Sequence, residues 1–406
     1  MRSYSRNWPV VLSRGVGAML YSADDRAYLD FFAGAGALNY GHNNPILKSR
    51  LMAYLANDGV IHSLDMWTEA KADFLRAFRD LVLIPRCLDY KVQFTGPTGS
   101  NAVEAALKLA RKVTGRHTVA AFTRSFHGMS LGALSVSGSA SKRAAAGVDL
   151  HHVIRLPFDG FGSQEMSGLV LLEDLLADPS SGVDLPAAVV VETVQAEGGV
   201  NVAGDAWLRK LARVCHEHDI MLIIDDIQVG CGRTGRFFSF EESGIQPDIV
   251  CLSKSLSGYG LPMAIVIYRR DLDVWEPGEH NGTFRGHNAA FVTATAAIQA
   301  YWTDGELQRQ CAAKSELVSD ALAALCNKYQ SHGITFRGRG LIWGLEFPMP
   351  AAARQVCDTA FRLRLLIETA GPWDEVVKLM PPLTASADEL QQGLELLGDA
   401  VHEVLC

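Results

Sequence analysis

The stretch AAVVVETVQAEGGVNVAGDAWLRKLARVCHEHDIMLIIDD, residues 187–226, decides the fold. It begins and ends with short apolar runs, 187–192 and 220–225, which are rich in Val and Ile and typical of strands buried on both faces. Between them, 205–218 places apolar side chains at helical spacing, namely Trp207, Leu208, Leu211 and Cys215. The three segments predict a strand–helix–strand unit with parallel strands, which indicates an α/β protein.

The same pattern continues on both sides of this unit. The run IVCLSK, 249–254, predicts a third buried strand. Upstream, NAVEAALKLARKVTG, 101–115, predicts a helix. Asn101 and Glu104 have the spacing of an N-cap and its partner, and Gly115 is a plausible C-terminal stop.

The two ends of the chain differ from the middle. AMLYSADDRAYLDFFAG, 18–34, predicts a hairpin with its turn at Asp24–Asp25. Residues 306–329 are helical in pattern, and 334–347 are rich in strand formers. We therefore predict a large domain with a mainly parallel sheet flanked by helices, and a smaller α+β domain. The predicted limits are an N-terminal segment, 1–47, that joins the small domain, the large domain, 48–300, and the C-terminal small domain, 301–406.

The composition argues against several classes of protein. The 406 residues are 20% charged, with a formal net charge of −8, whereas a nucleic-acid-binding protein is usually basic. The eight cysteines include no C-x-x-C pair and indicate reduced thiols in the cytoplasm. No apolar run reaches the roughly 20 residues of a membrane span, so we expect neither nucleic-acid nor membrane partners. Cys215, His216 and His218 lack the paired spacing of metal ligands, and we predict no metal site.

A glycine-rich turn precedes the predicted helix. In FTGPTGSNAVEAALKLAR, 94–111, a strand leads into Gly96, Gly99 and Ser100. Backbone N–H groups at a helix N-terminus attract anions, because they lack partners and the helix dipole is positive there. The turn predicts a phosphate site and, on local grounds equally well, an ordinary helix cap. It is not a nucleotide P-loop, since the Gly-Lys-Ser/Thr ending is absent.

Two aspartates end a buried strand. IIDDIQVGCGRTG, 223–235, places Asp225 and Asp226 at the carboxyl end of the strand, which is the edge where ligands bind in open α/β sheets. A buried carboxylate needs a cationic partner, and a protonated pyridine nitrogen would serve. A metal ligand and a helix cap are the alternatives.

Lys254 ends the next strand along the chain. An amine in a partly apolar site has a depressed pKa and can act as a nucleophile, which is the state that a Schiff base requires. Taken alone, such a residue is more often a lysine whose charged end reaches the surface.

The motif SFHGMS, 125–130, supplies an aromatic ring. Phe126 could stack on a flat ligand with His127 beside it, although by itself the motif is better explained by a core Phe and a loop His. Combined with the phosphate turn, the strand-end acid and Lys254, it completes the four contacts that pyridoxal phosphate requires. The combination therefore predicts a pyridoxal-phosphate site.

Eight motifs in a fixed order resemble those of one family. They are YGHNNP, TGPTGSNAVEAALKLAR, FHG, VETVQAEGG, IIDDIQVGCGRTG, PDIVCLSK, NGTFRGH and MPPL, and they span almost the whole chain. The sequence resembles the class III (ω-) aminotransferases, which are fold-type I pyridoxal-phosphate enzymes. Within them it is most similar to the diaminobutyrate–2-oxoglutarate aminotransferases of ectoine biosynthesis. The resemblance implies a seven-stranded-type sheet in the large domain.

The resemblance also implies roles for single residues. Lys254 would hold the cofactor as a Schiff base and, once freed, move the proton, and Asp225 would pair with the pyridinium nitrogen. The remaining cofactor contacts would be Gln228 at the ring hydroxyl, Gly99 and Ser100 at the phosphate, Phe126 and His127 at the ring, and Thr283 at the phosphate of the neighbouring subunit. The substrate side would hold Glu192, Glu197, Lys378 and Trp67.

The implied partners are an amino donor, a 2-oxo acid acceptor and a second copy of the chain. Because Thr283 would reach the neighbouring subunit, the resemblance implies a homodimer and leaves open whether dimers form tetramers. The implied reaction is L-2,4-diaminobutyrate plus 2-oxoglutarate giving L-aspartate 4-semialdehyde plus L-glutamate, with ping-pong kinetics. The alternatives are another amine (ornithine, 4-aminobutyrate or a natural-product intermediate), a pyridoxal-phosphate-dependent aminomutase, and a non-catalytic pyridoxal-phosphate-binding protein.

Lys378 departs from the family's pattern. Many members carry an arginine at this position of VVKLMPPL, 376–383, where it pairs with the glutamate of QAEGG or with a substrate carboxylate. A lysine cannot make the same bidentate contact. Either Lys378 makes a weaker contact, or another arginine, such as Arg285 or Arg339, binds the carboxylate.

Overall fold

The computed structural model describes residues 7–162 and 166–406. The strands are β1 Leu12–Val16, β2 Met19–Ser22, β3 Ala27–Asp30, β4 Tyr90–Phe94, β5 Val119–Phe122, β6 Val153–Leu156, β7 Ala188–Val191, β8 Val194–Gln195, β9 Asn201–Val202, β10 Met221–Asp225, β11 Ile249–Leu252, β12 Ile265–Arg269, β13 Thr335–Arg339, β14 Ile342–Glu346, β15 Leu365–Leu366, β16 Glu368–Ala370 and β17 Val376–Leu379. The helices are α1 Ala33–Gly36, α2 Pro45–Ala56, α3 Glu69–Phe78, α4 Gly99–Thr114, α5 Leu131–Val136, α6 Ala140–Ala144, α7 Ser167–Ala177, α8 Asp205–Glu217, α9 Asn288–Tyr301, α10 Glu306–Lys328, α11 Pro350–Arg362 and α12 Ala387–Leu405. None of these helices is long and apolar enough to cross a membrane.

A seven-stranded sheet forms the centre of the molecule, with strand order β4-β12-β11-β10-β7-β5-β6. All its strands are parallel to one another except β12, which runs antiparallel to both neighbours. The three predicted strands lie in it as β7, β10 and β11, side by side, and their side chains are almost all buried. Helix α8 packs its apolar face, including Trp207 and Leu211, into the core. The predicted α/β class and the mainly parallel sheet are confirmed.

The parallel strands bring the candidate residues to one edge of the sheet. Gly99 follows β4, Phe126 follows β5, and Glu192 comes directly after β7. Asp225 is the last residue of β10, and Lys254 follows β11. Parallel strands end at the same edge, and this is where open α/β sheets bind their ligands. Residues far apart in the sequence are therefore neighbours in the fold.

The start of α4 differs from the prediction. The helix begins at Gly99, and Thr98 is its N-cap, with its side chain accepting a hydrogen bond from the N–H of Asn101. Asn101 is therefore not the cap. The carboxylate of Glu104 instead accepts hydrogen bonds from the Ser130 hydroxyl at 2.6 Å and from a backbone N–H of α5 at 3.0 Å. Consequently Gly99 and Ser100 lie inside the first turn, where backbone N–H groups have no partner within the helix.

Two four-stranded sheets lie in the terminal parts of the chain, and β8 and β9 form a separate two-stranded sheet. The order β1-β2-β3-β15 joins the predicted N-terminal hairpin to a C-terminal strand, because β3 pairs in parallel with β15. The second sheet has the order β13-β14-β17-β16 and is antiparallel throughout. The domain limits at 47 and 300 stay predictions, and residues 1–6 of the first segment lie outside the described residues.

Candidate active site

A cavity of about 210 Å³ lies at the carboxyl edge of the large sheet. Its lining includes eight of the residues that the sequence predicted: Gly99, Ser100, Phe126, His127, Glu192, Asp225, Gln228 and Lys254. They come from five different connections after sheet strands. The cavity therefore has the composition that the sequence analysis predicts for a cofactor site.

One part of the cavity presents hydrogen-bond donors that can bind an anion. The first turn of α4, a helix of 16 residues, presents Gly99 and Ser100 to it. The Ser100 hydroxyl oxygen accepts a hydrogen bond from the N–H of Met129 at 3.2 Å, which leaves its own proton free to be donated. Gly128 allows this close approach, because a Cβ there would lie 2.2 Å from Ser100 Oγ and its φ is +130°.

Another part of the lining carries a buried acid. Asp225 Oδ2 lies 2.8 Å from Nδ1 of His127, and Asp225 Oδ1 accepts a hydrogen bond from the N–H of Ile227 at 3.2 Å. Both side chains of the Asp–His pair are almost fully buried. Nε2 of His127 is buried and has no hydrogen-bond partner among the described residues. The pair can therefore present a carboxylate, fixed in orientation, to a cationic group in the cavity.

Lys254 lines the same cavity. Burial lowers the pKa of its amine to about 8, although the charge of Glu197 acts to raise that pKa. Its backbone φ is +51° at the start of a short 3-10 turn. Left-handed backbone at a residue other than glycine costs on the order of 1 kcal/mol and concentrates at functional sites. The strand end thus holds an amine that is close to its nucleophilic form at neutral pH.

Glu192 forms part of the cavity wall. Its Oε2 accepts a hydrogen bond from the N–H of Phe126 at 3.0 Å. Burial raises the pKa of Glu192 well above its usual range, and the charge of Asp225 adds to that shift. Both effects act toward the protonated form of Glu192, which can donate a hydrogen bond into the cavity.

Lys378 lies outside the cavity lining in a group of three charges. Its fully buried Nζ is 2.6 Å from Glu197 Oε1 and 3.0 Å from Glu368 Oε1. Gln228 connects this group to the cavity, because its Nε2 donates to Glu197 Oε1 at 3.1 Å and to the carbonyl oxygen of Ala35 at 2.9 Å. Glu197 and Lys378 therefore do not line the cavity directly, and their predicted substrate contacts are proposals that would need a rearrangement.

The charges in this group stabilise one another. Burial acts to raise the pKa of Glu197, but the ammonium groups of Lys378 and Lys254 outweigh it and lower that pKa. Burial acts to lower the pKa of Lys378, but the two carboxylates outweigh it and raise that pKa. Burial raises the pKa of Glu368. The ammonium of Lys378 is therefore the charge on which both carboxylates depend.

We expect Lys378→Met to lower the free energy of unfolding by about 3 kcal/mol, because it leaves two largely buried carboxylates without their nearest cation. Urea unfolding of the cofactor-saturated protein measures this. The control is the triple variant Lys378→Met, Glu197→Gln, Glu368→Gln, which should recover most of the loss. A single variant as stable as the parent protein, or a triple variant no better than the single one, would contradict the assignment.

Two predicted site residues lie away from the cavity of their own chain. Trp67 is 80% exposed, and Thr283 is exposed on a short turn. The two segments run together, since His62 Nε2 lies 2.6 Å from the carbonyl oxygen of Thr283 and His62 pairs with His287. Within one chain the structure does not bring either residue to the candidate site.

Six lining residues were not among the predicted site residues, namely Thr98, Gly128, Met129, Val194, Ile227 and Val229, and neither was Glu368 beside Lys378. Ile227 lines the cavity as an aliphatic wall, and its place inside DDIQ could have indicated it. Gly128 is required by its positive φ, which the motif FHG suggests only weakly. Glu368 begins the short strand β16, and the register of that strand places it directly opposite Lys378. An acid that directly follows the apolar run 365–367 is the sequence signal for that pairing.

Comparison with known proteins supports this geometry. A family model described as aminotransferase class-III matches residues 1–401. The diaminobutyrate–2-oxoglutarate transaminase of Nocardia farcinica is 58% identical over 404 residues, which cover 100% of this chain and 92% of that protein. The protein of the same name from Streptomyces anulatus is 57% identical, with 99% and 96% covered. The one from Virgibacillus pantothenticus is 51% identical, with 100% and 97% covered.

Solved structures share the fold. The ornithine aminotransferase of Toxoplasma gondii aligns with a TM-score of 0.85 at 26% identity, covering 100% of this chain and 92% of that one. A second structure of that enzyme, with a TM-score of 0.83 at 26% identity and the same coverage, has partial occupancy of PLP at its active site. An S-selective transaminase from Arthrobacter sp. aligns with a TM-score of 0.86 at 22% identity, covering 99% and 94%, which shows the fold alone.

Proposed function

Because the chain belongs to the class-III aminotransferases, we propose that it transfers the terminal amino group of L-2,4-diaminobutyrate to 2-oxoglutarate. The products would be L-aspartate 4-semialdehyde and L-glutamate, and the reaction would run in both directions. The proposed substrate rests on the relatives above 50% identity over nearly the whole chain, which are diaminobutyrate–2-oxoglutarate transaminases. The proposed class of chemistry rests on the cavity that Lys254 and Asp225 both line.

The residues of the cavity fit pyridoxal phosphate as the cofactor. The free N–H groups of Gly99 and Ser100 suit a phosphate, and the buried carboxylate of Asp225 suits a protonated pyridine nitrogen. Phe126 and Ile227 supply aromatic and aliphatic walls for a flat ring. We assign the amine of Lys254 as the group that would hold the aldehyde.

The chemistry then divides between the cofactor and this chain. Pyridoxal phosphate, when bound, supplies an aldehyde that condenses with amines and a ring that accepts the electrons of the broken C–H bond. The amine of Lys254 would hold the aldehyde carbon of the cofactor until a substrate amine replaces it there, and the freed amine would take the proton from the carbon that carries the amino group. A pKa of about 8 leaves this amine able both to accept and to return a proton near neutral pH.

Asp225 and His127 hold the charge that makes this proton transfer possible. The carboxylate of Asp225 would keep a proton on the ring nitrogen, and His127 lies where it fixes the orientation of that carboxylate. The raised pKa of Glu192 acts against a second negative charge beside Asp225. This division of tasks needs two half-reactions, so the enzyme should release one product before it binds the second substrate.

The test is a panel of amino donors assayed with 2-oxoglutarate. We expect L-2,4-diaminobutyrate to produce glutamate faster than ornithine or 4-aminobutyrate do, and parallel lines in a double-reciprocal plot. If diaminobutyrate is inert while another amine turns over, the substrate proposal is wrong and the class of chemistry stands. Conversion of a single amino acid without any acceptor would instead indicate an aminomutase.

We propose in addition that the active unit is a homodimer. The segments that carry Trp67 and Thr283 form an apolar surface with Val60, Ile61, Met66 and Phe284, each at least half exposed in the single chain. Such contiguous apolar exposure marks interaction surfaces, and burial against a second copy could bring Thr283 to the partner's phosphate site. Equilibrium sedimentation should give twice the mass of the chain, and a mass of one chain would contradict the proposal.

A further inference from the structure

The described residues of the cavity offer no free cation for the carboxylate of the substrate. Amino acids and 2-oxo acids bring carboxylates into the site, and a carboxylate that leaves water needs a cationic or hydrogen-bonding partner. Lys254 is the only lysine or arginine among these lining residues. In the proposed function its amine acts on the reacting carbon of the substrate. Within the described chain, a cation for the substrate would therefore come from a residue next to the lining.

The cations that the sequence suggested for this task have other partners. Lys378 is held by the carboxylates of Glu197 and Glu368. Arg285 pairs with the carboxylate of Asp65. Arg339 is largely buried and donates to the carbonyl oxygen of Ser239 at 2.8 Å. Moving any of these cations to a substrate would break an ion pair or a hydrogen bond.

Lys142 is placed differently. It lies in α6, and its Nζ is 4.2 Å from the centre of the Phe126 ring, which itself lines the cavity. The side chain is half-buried. In the described part of the chain, this Nζ forms no ion pair and no hydrogen bond, so the ring face is its one specific contact. An ammonium over an aromatic face has lost part of its hydration and has no counter-ion, which leaves it available to an anion.

We infer that Lys142 binds the carboxylate of the substrate. Its ammonium lies over the ring of Phe126, and that ring lines the cavity. The four-carbon side chain of Lys142 is long enough to move the ammonium around the edge of the ring. The inference rests on the proposed function, because it takes the substrates to be amino acids. A lysine suits two successive substrates whose carboxylates lie at different distances from the reacting amine, since its flexible point charge is not tied to one planar geometry.

Arg124 is the rival candidate. Its guanidinium lies 5.5 Å from the ring centre of Phe161 and 6.0 Å from that of Trp373, and neither of these rings lines the cavity. Lys142 is favoured because its aromatic contact is with a lining residue. Arg143, the next residue on the same helix, provides a matched control of the same charge.

The experiment compares two donors that differ only in the carboxylate. With the holoenzyme, L-2,4-diaminobutyrate is set against propane-1,3-diamine, the same diamine without that group. For Lys142→Met we expect the KM for diaminobutyrate to rise by about 10- to 100-fold, which corresponds to the loss of one charge-assisted hydrogen bond.

The control donor should be insensitive to this substitution. For propane-1,3-diamine, we expect the Michaelis constant, or the inhibition constant if it is not turned over, to stay within about twofold. Cofactor absorbance should be unchanged in Lys142→Met, and Lys142→Arg should restore most of the loss. Arg143→Gln should have no effect on either donor.

Several results would overturn the inference. They are an unchanged KM for diaminobutyrate in Lys142→Met, an equal rise for both donors, and a carboxylate-specific loss that appears in Arg124→Gln instead. If the parent enzyme does not accept diaminobutyrate, the proposed function fails, and the glutamate half-reaction decides the role of Lys142. In that half-reaction, followed by absorbance, an apparent dissociation constant for glutamate that is the same in Lys142→Met and the parent would overturn it.

Discussion

Lys254→Ala is expected to lower kcat by about 10⁴-fold or more, because the proposed function has one amine both hold the cofactor and move the proton. The described residues provide no substitute. No other lysine among them lines the cavity, and Lys378 is confined by its two carboxylates. The variant should still bind the cofactor through the phosphate turn and Asp225, and its fold should be retained.

Three measurements test this expectation. The first is the rate of glutamate formation, and the second is partial rescue of Lys254→Ala by a small primary amine such as methylamine. The third is borohydride reduction of the parent holoenzyme followed by peptide mapping, which should place the label on Lys254. A label on another lysine, or a variant that keeps more than a tenth of its activity, would show that the assignment is wrong.

Asp225→Asn is expected to lower kcat by about 10³-fold, because the neutral amide keeps the shape of the side chain but cannot hold a proton on the ring nitrogen. The contact with His127 and the hydrogen bond from the N–H of Ile227 converge on this carboxylate. Loss of the negative charge should also change the cofactor's absorbance, which would distinguish an electronic effect from misfolding.

The neighbouring acid is a matched control. Asp226 is also buried, but it accepts a hydrogen bond from the N–H of Ser239 at 3.1 Å and does not line the cavity. Burial raises its pKa to about 7, so the neutral form is already well populated at neutral pH. We expect Asp226→Asn to change kcat by no more than about fivefold. An equal fall in both variants would mean that Asp225 acts only through the local structure.

The central part of the fold is predictable from single segments. The strands β7, β10 and β11 are continuous apolar runs because both faces of the sheet are covered, and that burial is visible in composition. The direction of β12 is not predictable in this way. It is as apolar as its neighbours, and nothing in its residues distinguishes an antiparallel strand from a parallel one.

Some residues of the site are likewise predictable from the sequence, and others are not. Asp225 and Lys254 are predictable because each is a polar residue that ends an apolar run, a place that only function or a partner explains. The contact of Lys378 with Glu368 depends on the register of two short strands, which is set by the whole sheet. Thr283 would need a second chain to meet a cofactor.

The start of α4 shows a second limit of local reasoning. Thr98 and Asn101 are both residue types that cap helices well. Which of them becomes the cap is decided by how the preceding turn packs, and that packing involves residues distant in the sequence. The prediction therefore placed the N-cap three residues too late, at Asn101 instead of Thr98.

The parallel pair of β3 with β15 has a consequence for synthesis of the chain. Leu29 pairs with Leu365, so the N-terminal hairpin leaves the ribosome long before its partner strand exists. At about 5–20 residues per second the delay is on the order of tens of seconds. During that time β3 is an unpaired sheet edge, which is a template for wrong pairing between nascent chains. Translation speed and chaperone contact at this edge therefore bear on the yield of folded enzyme.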